Sequence, residues 1–145
     1  MREIVQTTSD LVIKATLAID NIYDKLAYDG SPKLSEFCPT GVWLLLLKDG
    51  WTAGIINVVP LNSIMWTPHI FIFEKYRGNG SEEWGLMAIK YMRNNYGVKK
   101  LLAFTPYEAA KKYAEKLDFE NVTIITNSIQ KNGKLLDQYV MEKTV

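Results

Sequence analysis

Cysteine and histidine are nearly absent from this sequence. Among its 145 residues, Cys38 is the only cysteine and His69 the only histidine. A single cysteine cannot form an internal disulfide, and two such residues cannot complete a Cys/His zinc site within one chain. The sequence therefore predicts no metal site and favours a reducing compartment.

The sequence also has little excess charge and no long apolar run. Its formal net charge is +1 and its basic residues are dispersed, which excludes the basic patch typical of nucleic-acid binding. The longest apolar run, Val42–Leu47, is far too short to span a bilayer. Residues Met1 to Thr7 lack the apolar core of a signal peptide. We therefore expect no nucleic-acid partner, no membrane partner and a cytoplasmic location.

The composition is that of an ordinary globular protein. The chain is 48% hydrophobic and 23% charged, and it contains no repeat and no linker-like tract. A chain of this length buries roughly two-thirds of its unfolded surface, so it can fold without a disulfide or a metal. We expect one domain over residues 1–145.

Hydrophobic periodicity predicts two helices ahead of the first strand. Ser9 and Asp10 are typical of a helix start, and Asp29-Gly30-Ser31-Pro32 ends the pattern. A second, short helix is predicted over Lys33–Phe37. The first helix would bury one stripe at helical spacing, formed by Leu11, Ala15, Ala18, Ile22 and Leu26.

Strands and helices alternate in the rest of the chain. The runs Val42–Leu47 and Trp51–Val59 flank a turn and predict a hairpin, and Ile64–Phe73 predicts a third strand. Because helices fall between the later strands, we expect an α/β fold with at least one crossover. The later elements are a helix ending at Gly97, a strand at Lys100–Thr105, a helix from Pro106 to Leu117, and closing strands at Val122–Ser128 and Leu135–Glu142.

One loop has the features of an anion site. Gly78 and Gly80 lie between the third strand and an amphipathic helix, where they allow a tight turn with exposed N–H groups. The start of the helix adds partial positive charge, so the loop is suited to a diphosphate, which Arg77 can also contact. The alternative is a plain helix cap, since Asn79 followed by Glu82 is typical of a capping box without any ligand.

The same residues resemble a known family. Tyr76-Arg77-Gly78-Asn79-Gly80 resembles the acyl-CoA pyrophosphate loop of the GNAT superfamily. Leu117-Asp118-Phe119-Glu120 resembles the Leu-Gly-Phe-Glu that ends the last helix of that family, and the order of elements is also similar. The resemblance implies an α/β GNAT-like fold, with a mixed, mostly antiparallel sheet and helices on both faces. It also implies acetyl-CoA as the acyl donor.

The resemblance implies roles for particular residues. The enzyme would transfer an acetyl group to a small-molecule or protein amine, and the strand ending near Ile72 would bind the pantetheine arm. His69 would act as the general base; the alternative is a strand histidine satisfied by hydrogen bonds. Tyr113 is the candidate acid or, alternatively, part of the core or groove wall. The diphosphate would be bound by Arg77 and by the main chain of Gly78, Asn79, Gly80, Ser81 and Glu82.

Four positions depart from the family pattern. Glu82 stands where the family has Gly or Ala, Tyr107 replaces an Asn, Ala114 replaces a catalytic Tyr, and Asp118 replaces a Gly. These departures favour an alternative, a non-catalytic binding or structural module. His69-Ile70-Phe71-Ile72 and the stretch from Asn132 to Gln138 resemble GNAT-like phage head-assembly or virion proteins. A module of this kind would bind phage structural proteins or a second copy of this chain, and it would be located in the host cytoplasm or the virion.

Overall fold

A computed structural model, which describes residues 1–145, contains one seven-stranded sheet and four α-helices. The strand order is β1-β2-β3-β4-β5-β7-β6, and every neighbouring pair is antiparallel except β4 and β5. This arrangement confirms the predicted α/β class and the mixed, mostly antiparallel sheet. The strands are β1 Arg2–Thr7, β2 Val42–Lys48, β3 Trp51–Pro60, β4 Met65–Ile72, β5 Lys100–Thr105, β6 Glu120–Lys131 and β7 Lys134–Thr144. The helices are α1 Asp10–Leu17, α2 Ile22–Leu26, α3 Glu82–Tyr96 and α4 Glu108–Lys116.

None of these helices combines the length and the apolar character that a membrane span requires.

The N-terminal strand β1 was not predicted. It pairs antiparallel with β2, so that Arg2 lies opposite Lys48 and Thr7 opposite Trp43. Its side chains alternate between more and less exposed positions, as in an edge strand with one face on the core. The expectation of a chain that starts with a helix is therefore wrong. The charged residues Arg2 and Glu3 hide the apolar signal of a short edge strand.

The predicted stripe of the first helix is also wrong. Leu11 is 80% exposed, whereas Ile13 and Leu17 are fully buried. The helix ends at Leu17, because Asp20 and Asn21 adopt left-handed φ angles of 52° and 56°. A separate helix, α2, then begins at Ile22, and the predicted helix over residues 33–37 is a single 3₁₀ turn. The stripe failed because it assumed one uninterrupted helix.

Helices cover both faces of the sheet, as predicted. On one face α3 and α4 pack on the sheet through the larger cluster, which includes Trp84, Met92, Leu117, Ile56 and Met141. On the other face α1 and α2 pack on the sheet through Ile13, Leu17, Ile22, Trp43, Ile55 and Phe73. Alternate residues of β3 and β4 therefore point to different helices, because successive strand side chains face opposite sides.

The parallel strands β4 and β5 pair over only two positions. Met65 lies opposite Lys100 and Trp66 opposite Leu101, and no pairing follows. Beyond Trp66 the edge of β4 that faces β5 therefore has no strand partner. A cavity of about 250 Å³ lies beside this gap, lined by residues of β3, β4, β5, α3 and α4.

Candidate functional site

The loop between β4 and α3 has the backbone that its glycines predict. After a 3₁₀ turn at Glu74–Tyr76, Gly78 and Gly80 adopt φ angles of 111° and 83°. Side chains with a Cβ rarely adopt these angles, so glycine is required for the turn. The loop leads directly into α3 at Glu82.

Several amides of this loop have no acceptor within the protein. The N–H of Ser81 donates to the Gly78 carbonyl at 3.1 Å, but the N–H groups of Gly78, Asn79, Gly80 and Glu82 make no hydrogen bond. The N-cap residue of α3 is Ser81, and no side chain caps the helix. The alternative of a capping box between Asn79 and Glu82 is therefore wrong. Free amides at a helix start are donors available to an anion.

Arg77 adds positive charge beside these amides. Its Nε donates to the Ile72 carbonyl at 2.9 Å, which fixes the side chain at the end of β4. Its two terminal nitrogens have no acceptor in the protein and the residue is exposed. The bond to Ile72 occupies the carbonyl of that residue. The terminal nitrogens remain able to bind a phosphate group.

A second arginine, Arg2, contacts the loop, and no sequence motif predicted this contact. The Nη2 of Arg2 donates to the Asn79 carbonyl at 2.9 Å, and its Nη1 lies 3.2 Å from Glu83. The guanidinium stacks over the ring of Trp84 at 5.1 Å. A Cβ on Gly80 would lie 2.7 Å from Nη1, so a side chain at this position would displace the guanidinium. Arg2 contacts carbonyl and carboxylate groups and leaves the loop amides free.

His69 lies on β4, opposite Asn57 of β3, and lines the cavity. Its imidazole makes no hydrogen bond to another residue, which favours a base over a histidine satisfied within its strand. Burial lowers the pKa of His69 below its usual range. The side chain is therefore neutral at pH 7 and can accept a proton. Its role as a base stays a prediction.

Tyr113 lines the same cavity but binds the start of α3. Its hydroxyl donates to the Ser81 carbonyl at 2.9 Å, which joins α4 to the loop. Burial, with a smaller contribution from the Glu82 carboxylate, raises the pKa of Tyr113 well above its usual range. The hydroxyl therefore keeps its proton, and that proton points to Ser81. Its role as an acid stays a prediction.

The other departures from the family pattern have distinct positions. Ala114 lines the cavity and offers no hydroxyl. Asp118 has a φ of 64°, so its position requires a left-handed backbone, which explains the glycine of the family. Tyr107 lines the cavity and accepts a hydrogen bond from the Lys131 Nζ at 3.2 Å. Glu82 is half-buried and makes no hydrogen bond.

The tip of the β6–β7 hairpin is fixed to the end of α2. The Nζ of Lys131 donates to the carbonyls of Asp24 and Ala27, the latter at 3.1 Å. The carboxylate of Asp29 accepts from the N–H groups of Asn132 and Gly133 at 2.8 and 2.9 Å. We call these contacts the hairpin clamp. Two residues of the clamp, Ala27 and Lys131, line the cavity, and no sequence motif predicted these contacts.

No family model matches the chain, and no curated protein sequence matches it. Solved structures do match. A ribosomal-protein-alanine N-acetyltransferase from Brucella melitensis is 18% identical, with 99% of each chain covered and a TM-score of 0.76. An acetyltransferase of the GNAT family from Streptococcus pneumoniae is also 18% identical, with 100% of this chain and 99% of that chain covered and a TM-score of 0.73.

A third structure was solved with acetyl-CoA as its cofactor. This protein, from Salmonella typhimurium, is 14% identical, with 99% of this chain and 94% of that chain covered and a TM-score of 0.76. Structural matches at this level of sequence identity establish the fold. The chemistry has to be argued from the residues of this chain. The chain therefore has the fold of the GNAT acetyltransferases, as the resemblance of its loop and its order of elements predicted.

Proposed function

We propose that this chain is an acyl-CoA-dependent N-acyltransferase that moves an acetyl group from acetyl-CoA to an amine. The observation that carries the proposal is the position of free amides beside an open strand edge. Gly85, one turn into α3, lines the cavity, and Tyr113 lines it while bonding to Ser81. The loop and the gap between β4 and β5 are therefore adjacent, as a donor with a diphosphate and an extended arm requires.

The donor would be bound by main-chain groups at both positions. The free amides of Gly78, Asn79, Gly80 and Glu82, with Arg77, would bind the diphosphate. The unpaired edge of β4 beyond Trp66 would bind the amides of the pantetheine arm, as an additional strand does. Bound in this way, the donor supplies a thioester whose carbonyl carbon is the electrophile.

The chemical steps fall to few side chains. Neutral His69 would take the proton that the amine nitrogen loses as it bonds to the thioester carbonyl carbon, directly or through a water. N–H groups on the open edge of β4 would stabilise the oxyanion. When the carbon–sulfur bond breaks, the thiolate would take a proton from water or from Tyr113, whose hydroxyl would first have to leave the Ser81 carbonyl.

Isothermal titration with acetyl-CoA should give a micromolar Kd. Arg77→Ala should weaken binding by about tenfold or more, because a charge-assisted hydrogen bond contributes roughly 1.5–3 kcal/mol. The matched control is Arg93→Ala, an exposed arginine in the last turn of α3, which should leave the Kd unchanged. Absence of heat at millimolar ligand would rule out the transferase.

Glu82→Gln should tighten the binding of acetyl-CoA. Two unit charges about 6 Å apart repel by roughly 3 kcal/mol at an effective dielectric near 20. Removing the charge should therefore lower the Kd by up to about a hundredfold. Glu83→Gln is the control, since Arg2 already pairs with Glu83 and the effect should be smaller. A weaker complex with Glu82→Gln would mean that the carboxylate points away from the diphosphate.

One observation favours the alternative of a non-catalytic module. Ala114 leaves the cavity without a hydroxyl at the family position of the acid, and the hydroxyl of Tyr113 binds Ser81. Such a module would bind a second copy or phage structural proteins, and this phage assignment stays a prediction. The titration separates the two functions, because the transferase requires acetyl-CoA and the structural module does not.

A further inference from the structure

The charge of the cavity restricts the amine that can enter it. No aspartate or glutamate lines the cavity, and its charged lining residues are Lys25 and Lys131. The carboxylate nearest Lys131 is that of Asp24, 3.9 Å from its Nζ, and that side chain is 78% exposed. The cavity therefore offers no negative partner to a cation.

An alkylamine is protonated at neutral pH and would bring a positive charge into this cavity. Burying a charge without a partner is strongly unfavourable, and the two lysines would repel it. Within the hairpin clamp the Lys131 Nζ donates to two carbonyls and to the Tyr107 hydroxyl, and none of these three partners is an anion. A protonated amine would therefore find neither a carboxylate partner nor a favourable electrostatic potential in this cavity.

The lining of the cavity favours an apolar ring. Phe71, Phe104, Ile129 and Leu136 line the same cavity as His69, and Tyr107 lines it beside Lys25 of α2, whose carbonyl lies 3.5 Å from its hydroxyl. Aromatic and aliphatic walls bind flat apolar groups through burial and through ring contacts. The cavity volume of about 250 Å³ suits a small acceptor.

We infer that the acceptor is a small aromatic amine, which reaches His69 uncharged and needs no carboxylate for its recognition. This inference rests on the proposed acetyl transfer. The nitrogen of such an amine carries a free lone pair at neutral pH, so it can bond to the thioester carbon without prior loss of a proton. His69 then takes one proton from the nitrogen after the bond has formed, and the amide and free thiol are released.

The test compares aniline with cyclohexylamine, two amines of similar size, of which only the second is protonated at pH 7.5. With saturating acetyl-CoA, release of free thiol should give a kcat/KM at least tenfold higher for aniline. The inference is overturned if kcat/KM for cyclohexylamine equals or exceeds that for aniline. It is also overturned if the chain binds acetyl-CoA but acetylates neither amine. If acetyl-CoA itself does not bind, the proposed function fails, and this inference fails with it.

A charge added to the cavity gives an independent measurement. Gln138 lines the cavity, and Gln138→Glu introduces a carboxylate of the same size. This variant should shift the preference towards cyclohexylamine by about tenfold, since it supplies the missing partner of an ammonium. Asn94→Asp, on the exposed side of α3, adds the same charge elsewhere and should leave the preference unchanged. An unchanged preference in Gln138→Glu would overturn the electrostatic argument.

Discussion

Replacing His69 with glutamine should lower kcat for acetyl transfer by about 10²–10⁴-fold and leave the Kd for acetyl-CoA unchanged. His69 lines the cavity and, because burial lowers its pKa, it is a neutral base at pH 7. Glutamine keeps a polar side chain of similar length, so packing beside Asn57 changes little. Rapid-mix measurement of thiol release, with calorimetry of acetyl-CoA binding, separates the two quantities.

The pH dependence gives a second measurement of the same group. Because burial lowers the pKa of His69 below 6.5, kcat should be constant near pH 7 and fall when the pH drops through that lowered pKa. In the unfolded chain His69 binds its proton at a higher pH than in the folded chain. The free energy of unfolding should therefore decrease as the pH falls below about 6.5. Both effects should disappear in His69→Gln, and a variant with unchanged kcat would remove His69 from the mechanism.

Features that depend on neighbouring residues could be predicted from the sequence. Gly78 and Gly80 were correctly placed in a loop between a strand and a helix, because the left-handed backbone of such a turn needs glycine wherever it occurs. The amphipathic helix predicted after Gly80 also depends only on local spacing, and Trp84 and Met92 of α3 are buried. The order of elements from β2 onwards also followed from local patterns.

Features that join distant parts of the chain could not be predicted. β1 contains charged residues and pairs with a strand about 40 residues away, so its position depends on β2. Arg2 reaches the loop only because β1 is in the sheet, and its contact with Asn79 spans 77 residues. The hairpin clamp joins Lys131 to Asp24 over 107 residues. Each of these contacts is made by ordinary surface residue types, which carry no motif.

The amides that the capping-box alternative would have occupied illustrate the same limit. Asn79 and Glu82 have the residue types and the spacing of a capping box, yet the helix begins at Glu82 itself. The N-cap residue is Ser81, one position before the helix, whereas a capping box would place the N-cap at Asn79. A shift of two residues in the start of α3 therefore decides whether the amides are capped or free. Sequence periodicity places the end of a helix only to within a few residues. It therefore cannot decide whether the amides of this loop are capped or free.

Gly54→Ala should destabilise the fold by about 3 kcal/mol or more, because strand β4 passes very close to β3 at this point. A Cβ on Gly54 would lie 2.2 Å from the Phe71 carbonyl oxygen and 2.9 Å from the Ile72 Cα. Both are backbone atoms, so no side-chain rotation can relieve the contact. Denaturant unfolding, followed by tryptophan fluorescence, should give the loss as a lower midpoint at an unchanged slope.

Gly97→Ala is the control for this substitution. Gly97 has a φ of 65° and a Cβ there would meet nothing, so only backbone strain of about 1–2 kcal/mol is expected. The difference between the two variants therefore measures the contact of β3 with β4 alone. Equal losses would mean that β4 can move away from β3 at little energetic expense. In that case the strand that carries His69 and the open edge towards β5 would not be held rigidly, and the geometry proposed for the donor would lose its support.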